Sequence, residues 1–168
     1  YMKIYDCFMF FDEEMLLDLR LNIMNKYVDK FVITEATYTH SGSPKKLIFD
    51  INKFSKFKDK IIYIVVDKPP PDLFKIDESD SSNKRQSKMT INAKKREIYQ
   101  INKTQDEIVK ANPEDMIIIS DLDEIPNLEK IDFRTISQKL IFFRQKMFYY
   151  KLNLFHKSLP WYGSKACK

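Results

Sequence analysis

Glycine is almost missing from this chain: only Gly42 and Gly163 occur in 168 residues. A Gly-rich dinucleotide turn and a phosphate loop of the Walker type are therefore excluded, since both need several glycines to bring backbone N–H groups onto phosphate oxygens. A nucleotide, if one binds, needs a metal and basic side chains to hold its phosphates. Cysteine is equally scarce. Cys7 and Cys167 make neither a disulfide framework nor a zinc pattern, and Cys7, inside an apolar run, reads as a small buried hydrophobe. Neither His40 nor His156 has a partner at metal-ligand spacing. No apolar run reaches about 18 residues, so no transmembrane helix is expected, and Asp6 interrupts the start too early for a secretory signal. Acidic residues stop at Asp132, after which eight lysines and arginines follow unopposed. The net charge of +5 therefore sits in that last segment. Such an end attracts phosphates, acidic glycans or nucleic acid, or is simply a solvated face.

What is present is a globular balance, 43% hydrophobic and 32% charged. The length suits one domain over residues 1–168. Ile4–Phe11 reads as a strand, and Glu13–Lys26 as a helix with Met15, Leu16, Leu19, Ile23 and Met24 at helical spacing. Residues 31–34 are a short apolar strand, followed by a loop through Ser41-Gly42-Ser43-Pro44. Residues 51–58 suit a short helix, and Ile61–Val66 a buried strand that Pro69-Pro70-Pro71 terminates. Asp72–Met89 is polar and is expected to be a mobile loop and a candidate lid. Ala93–Ala111 is predicted as one long helix, Met116–Ile119 as a buried strand, and 140–143 and 147–150 as two later strands. This alternation predicts an α/β fold with a mainly parallel sheet.

The chemistry concentrates at Ser120-Asp121-Leu122-Asp123-Glu124-Ile125-Pro126. Ile117, Ile118 and Ile119 suit a central parallel strand, apolar on both faces, and ligands of open α/β sheets bind beyond the carboxyl ends of such strands. Alternation lets Asp121 and Asp123 share a face while Leu122 packs inward. Carboxylates held together repel and favour a hard cation, Mn²⁺ or Mg²⁺, which binds substrate phosphates. An acidic turn with no chemistry is the competing reading.

Three blocks resemble glycosyltransferase family 17, whose members include a β-1,4-mannosyl-glycoprotein 4-β-N-acetylglucosaminyltransferase. They are Asp6-Cys7-Phe8 with Asp12-Glu13, Leu17 and Arg20-Leu21; Val28 to Ala36 with Thr39-His40-Ser41-Gly42 and Lys46; and Asp115 to Pro126. A weaker block holds Arg96-Glu97, Gln100 and Asn102, with Ile101 where the family pattern has a basic residue. The resemblance implies a GT-A-like, Rossmann-type fold and transfer of N-acetylglucosamine from a UDP-sugar donor to a glycan or glycoprotein acceptor. It also implies a divalent metal and inversion at the anomeric carbon. Members of that family are longer, so the domain is expected to be incomplete at its C-terminal end relative to them. Eukaryotic members are Golgi membrane proteins; a complete chain of this kind would be cytoplasmic, and a fragment of an anchored one lumenal.

On that reading Asp123 ligates the metal, and Asp121 binds it through water or holds the ribose. Glu124 is a supporting acid or the general base, which must otherwise be another acid at or before Asp132. Glu35 contacts the uridine or ribose, or caps the loop after its strand. His40 touches donor or acceptor, or is a loop histidine bonded to backbone. Arg96, with Lys95, faces the donor phosphates. Arg20 pairs with Glu13 or braces Glu35 or Asp6. Trp161 and His156 stack a sugar ring or fill a core. Two other functions compete: a metal-dependent nucleotidyltransferase acting on sugar phosphates, and a nucleic-acid-binding module using the basic end. The first lacks a Gly-rich triphosphate loop; the transferase reading carries no nucleic-acid partner.

Overall fold

A computed structural model describes residues 1–150 and 153–168. The described residues form a six-stranded sheet and a separate two-stranded ribbon. Strands β1 (Ile4–Met9), β2 (Lys30–Ala36), β3 (Ile61–Val66) and β4 (Met116–Ile119) lie in the order β3-β2-β1-β4, all parallel. Two short strands complete the sheet. β8 (Lys165–Cys167) runs antiparallel to β4, and β5 (Leu140–Phe142) antiparallel to β8. The ribbon pairs β6 (Gln145–Phe148) with β7 (Phe155–Trp161). The expected mainly parallel α/β sheet is thus present, with an antiparallel margin built from the last residues.

Burial on both faces explains the near-continuous apolar strands. Phe8, Phe31, Ile33, Met116 and Ile118 face a large core with Leu17, Leu21 and Met24 of helix α1 (Glu14–Met24). Phe54 and Phe57 of a 3₁₀ helix at Ile51–Phe57 close the same core. The alternate residues Tyr5, Cys7, Val32 and Ile117 face a second, smaller core. Cys7 is fully buried as expected, and its apolar surroundings push the thiol well above its ordinary pKa, so it stays neutral. Both cysteines are free. Among the described residues no helix is long and apolar enough to cross a membrane.

The polar stretch before Met89 departs from expectation. Helix α2 spans Ser82–Asn102, starting eleven residues before the predicted Ala93 and ending sooner than predicted. A separate turn, α3 (Gln105–Ile108), follows. Ser81 caps α2 by accepting from the Lys84 N–H. The first half of α2 is exposed almost all round, so it has no apolar stripe for a periodicity argument to find. The segment before it is tied to the helix by hydrogen bonds and ion pairs. Buried Asn92 exchanges two hydrogen bonds with the Phe74 backbone, both at 2.8 Å. Lys88 binds Asp80 at 2.6 Å, and this bond, the Asp77 N–H and Lys84 hold the Asp80 carboxyl well below its ordinary pKa.

Candidate active site

The chain runs β1→β2→β3 outward, then returns to lay β4 on the other side of β1. The reversal leaves a crevice at the carboxyl ends of β1 and β4, where ligands of open α/β sheets bind. A cleft of about 570 Å³ lies there, and its wall includes Phe10 and Phe11 beyond β1, His40 beyond β2, and Asp121 and Asp123 beyond β4. Glu13, Lys45, Glu97 and Gln100 also line it.

Arg20 builds the acidic end of this cleft. It projects from α1, is fully buried, and lies over the Phe8 ring at 4.6 Å. Its guanidinium grips Asp6 of β1 with two bonds, Nε–Oδ2 at 2.9 Å and Nη2–Oδ1 at 2.7 Å. The remaining N–H groups point at the turn after β4. Nη1 donates to the carbonyls of Asp121 (2.9 Å), Leu122 (3.1 Å) and Glu124 (3.1 Å), and Nη2 to the Ser120 hydroxyl. A planar five-donor fork suits such a set of fixed acceptors, which a lysine would not satisfy. With its carbonyls tied inward, the turn presents its side chains outward. Leu122 is buried, while Asp121 and Asp123 open onto the cleft; the arrangement is the one expected, but a turn beyond the end of β4 produces it rather than strand alternation. The suggested Glu13–Arg20 pair does not form, since the Glu13 carboxylate accepts the N–H groups of Phe11 and Asp12 instead.

Among the described residues the carboxylates of Asp121 and Asp123 accept no hydrogen bond and form no ion pair, whereas buried Asp6, Asp115 and Glu35 are all bonded. Partial burial in the cleft, then Glu124, Asp123 and Glu97, raise the Asp121 pKa. The site therefore carries uncompensated negative charge. No group of three His, Cys, Asp or Glu side chains among the described residues forms a ready metal cage. Two open carboxylates fit a divalent ion that takes its other ligands from water and substrate phosphates, the usual manner of Mg²⁺.

Glu124 is held rather than free. Its Oε2 accepts the Asp121 N–H at 3.1 Å, and its Oε1 accepts the Trp161 indole N–H. Gly163 makes room for it: a Cβ there would stand 1.8 Å from Oε1. We expect Gly163→Ala to expel this carboxylate and break both bonds. Both bonds are exposed and the displaced atoms end a flexible side chain, so the cost is about 1 kcal/mol, read as a fall in Tm of about 2–4 °C. Unchanged melting would show that Glu124 moves aside freely.

Glu35, Arg96 and Lys95 lie outside the cleft wall. Glu35 is fully buried, does not line the cleft, and binds Lys45, the Ile48 and Phe49 N–H groups and the Tyr63 hydroxyl. Burial and the Glu35 carboxylate push the Tyr63 phenol up, so it remains a donor. Of the two roles the sequence leaves open, this is the loop cap. Arg96 does not line the cleft; it donates to the His40 carbonyl at 3.0 Å and lies beneath Gly42, whose φ of +99° marks the turn. Lys95 pairs with Asp72. His40 does reach the cleft wall, with Nε2 3.4 Å from Gln100 Oε1. Gln100 Nε2 donates to the Thr34 carbonyl, which leaves its oxygen facing the His40 ring. Lys45 and Glu97 are the charged wall residues to which the sequence reading assigned no role. Lys45 stands one residue before the quoted Lys46, and Glu97 directly follows Arg96, so the signal was local.

Fold and cleft together define an α/β domain whose open carboxylates lie beyond the carboxyl edge of parallel strands. The model of glycosyltransferase family 17 matches residues 1–166, and the chain belongs to that family. It is therefore a transferase working with a sugar donor and an acceptor. No curated protein and no solved structure gives a significant match.

Proposed function

We propose that this domain transfers N-acetylglucosamine from a UDP-sugar to a glycan hydroxyl, with inversion and with Mn²⁺ or Mg²⁺. The observation that carries this is the pair of open, unpartnered carboxylates, Asp121 and Asp123, at the β1/β4 crevice of a family 17 chain. The strand order β3-β2-β1-β4 followed by an antiparallel strand supports a GT-A-like architecture. Asp123 holds the ion directly, and Asp121 holds it through water or binds the ribose. When bound, the ion supplies positive charge to the diphosphate leaving group. His40, on the cleft wall, offers its ring to a polar group of the donor or acceptor.

Glu124, bonded at both oxygens, positions the Asp121 turn. The proton of the acceptor hydroxyl falls to Glu97, which lines the cleft, acts electrostatically on Asp121, and among the described residues pairs with Lys94 at 2.6 Å. Calorimetry with UDP and Mn²⁺ is expected to show binding that EDTA weakens. Binding of equal strength in EDTA would exclude a metal-bridged diphosphate. Glu97→Gln is expected to bind UDP and Mn²⁺ as the parent does while losing transfer; a variant that still transfers at the parent rate removes Glu97 as base.

A further inference from the structure

Trp161 is the chain's one tryptophan. It ends β7, donates its indole N–H to Glu124 Oε1, and is still 40% exposed. An indole packed for stability alone buries its ring, the larger part of its surface. Here the polar edge is satisfied and ring surface faces solvent. The location matters as much as the exposure. Glu124 accepts the Asp121 N–H through its other oxygen, so the ring is anchored two hydrogen bonds from the cleft carboxylate.

The ribbon that carries Trp161 has open faces on both sides. Phe148 and Phe155 meet at 5.5 Å, and Tyr149 and His156 at 5.4 Å. Two strands alone are marginal in water. This pair is held at its base by Trp161 on Glu124 and by the Ser164 hydroxyl donating to the Glu124 carbonyl. A cluster of exposed aromatics on such an element marks a contact surface.

We propose that the exposed ring of Trp161, carried on the β6–β7 ribbon, is the platform on which a pyranose ring of the acceptor glycan stacks. The inference rests on the glycosyltransferase reading of the cleft. A pyranose presents a face of C–H bonds rimmed by hydroxyls. The aromatic face takes the first through dispersion and C–H/π contact, and neighbouring polar groups take the second. Aromatics and lysines on a ribbon also suit a lipid surface. Trp161 favours the glycan because it stands at the ribbon's base, hydrogen-bonded through Glu124 to the turn that carries the cleft carboxylates.

The single tryptophan makes the test direct. Its emission is followed while the protein, without donor, is titrated with mannotriose, with N,N′-diacetylchitobiose, and separately with phosphatidylserine vesicles. A saturable change with an oligosaccharide and none with vesicles is expected. In transfer assays Trp161→Ala is expected to raise the acceptor KM by about tenfold or more, and Trp161→Phe, which keeps a ring but loses the N–H, by less than about threefold. Emission unmoved by either oligosaccharide, a change with vesicles alone, or equal damage by Ala and Phe would each overturn the platform. If the parent fails to bind UDP with Mn²⁺, the donor reading falls, while the emission titration still decides this one.

Discussion

Arg20→Met is expected to destabilise the domain by about 3–5 kcal/mol, the range measured when one partner of a buried ion pair is removed. Its removal leaves the Asp6 carboxylate fully buried with no cation, and three turn carbonyls and the Ser120 hydroxyl without their donor. For a domain of this size the Tm should fall by roughly 6–20 °C. The double variant Asp6→Leu, Arg20→Met separates two roles. With both charges gone, much of the stability returns, because a buried pair replaced by apolar groups is often close to neutral. Activity should not return with it. Nothing then holds the carbonyls of Asp121, Leu122 and Glu124 inward, and the carboxylates lose their fixed presentation. A single variant that melts within about 1–2 °C of the parent, or a double variant that regains full transfer, would refute the positioning role of Arg20.

Asp123→Asn addresses the chemistry itself. The change keeps size and shape and removes one negative charge from an exposed side chain that accepts no hydrogen bond among the described residues. Folding should be nearly indifferent, at about 1 kcal/mol or less, because the strand's apolar residues and the Arg20 contacts to the turn are untouched. Transfer should fall at least about a hundredfold, roughly 2.7 kcal/mol of barrier, since the diphosphate loses its charge bridge. A melting curve paired with a UDP-release assay decides the matter. Parent-like release from a normally melting variant would remove the metal role of Asp123. The Arg20 and Asp123 variants should thus fail in opposite ways, one in stability first and the other in chemistry alone.

Much of this was readable in the sequence, for a local reason. A buried parallel strand is an unbroken apolar run, so Ile61–Val66 and Met116–Ile119 were recognisable without knowing their partners, and Ile4–Met9, broken only by Asp6, was recognisable from its aromatic content. Asp121 and Asp123 do open onto the cleft while Leu122 is buried, but they lie in a turn past the end of β4, so strand alternation is not what places them. Helix α2 was half missed because its first turns are solvated and carry no period; only the Ser81 cap marked their start. The strands β7 and β8 at the basic end were missed as well. β7 is exposed along most of its length, and the three residues of β8 become a strand only by lying between β4 and β5.

Tertiary structure alone decided which polar side chains build the site and which face it. Arg20 and the Asp121 carbonyl are 101 residues apart in the chain, and Trp161 and Glu124 are 37 apart. Glu35 could have served a ligand or its own loop, and the choice was made by Lys45, Tyr63 and two backbone N–H groups that the fold brings to it. Arg96 was drawn to the His40 carbonyl rather than to the cleft in the same way. The physical reason is directionality. Apolar patterning is read from neighbours along the chain, because burial asks only which face a residue occupies. A hydrogen bond or ion pair needs its partner at a set distance and angle, and that partner is supplied by distant segments only after the sheet has ordered them.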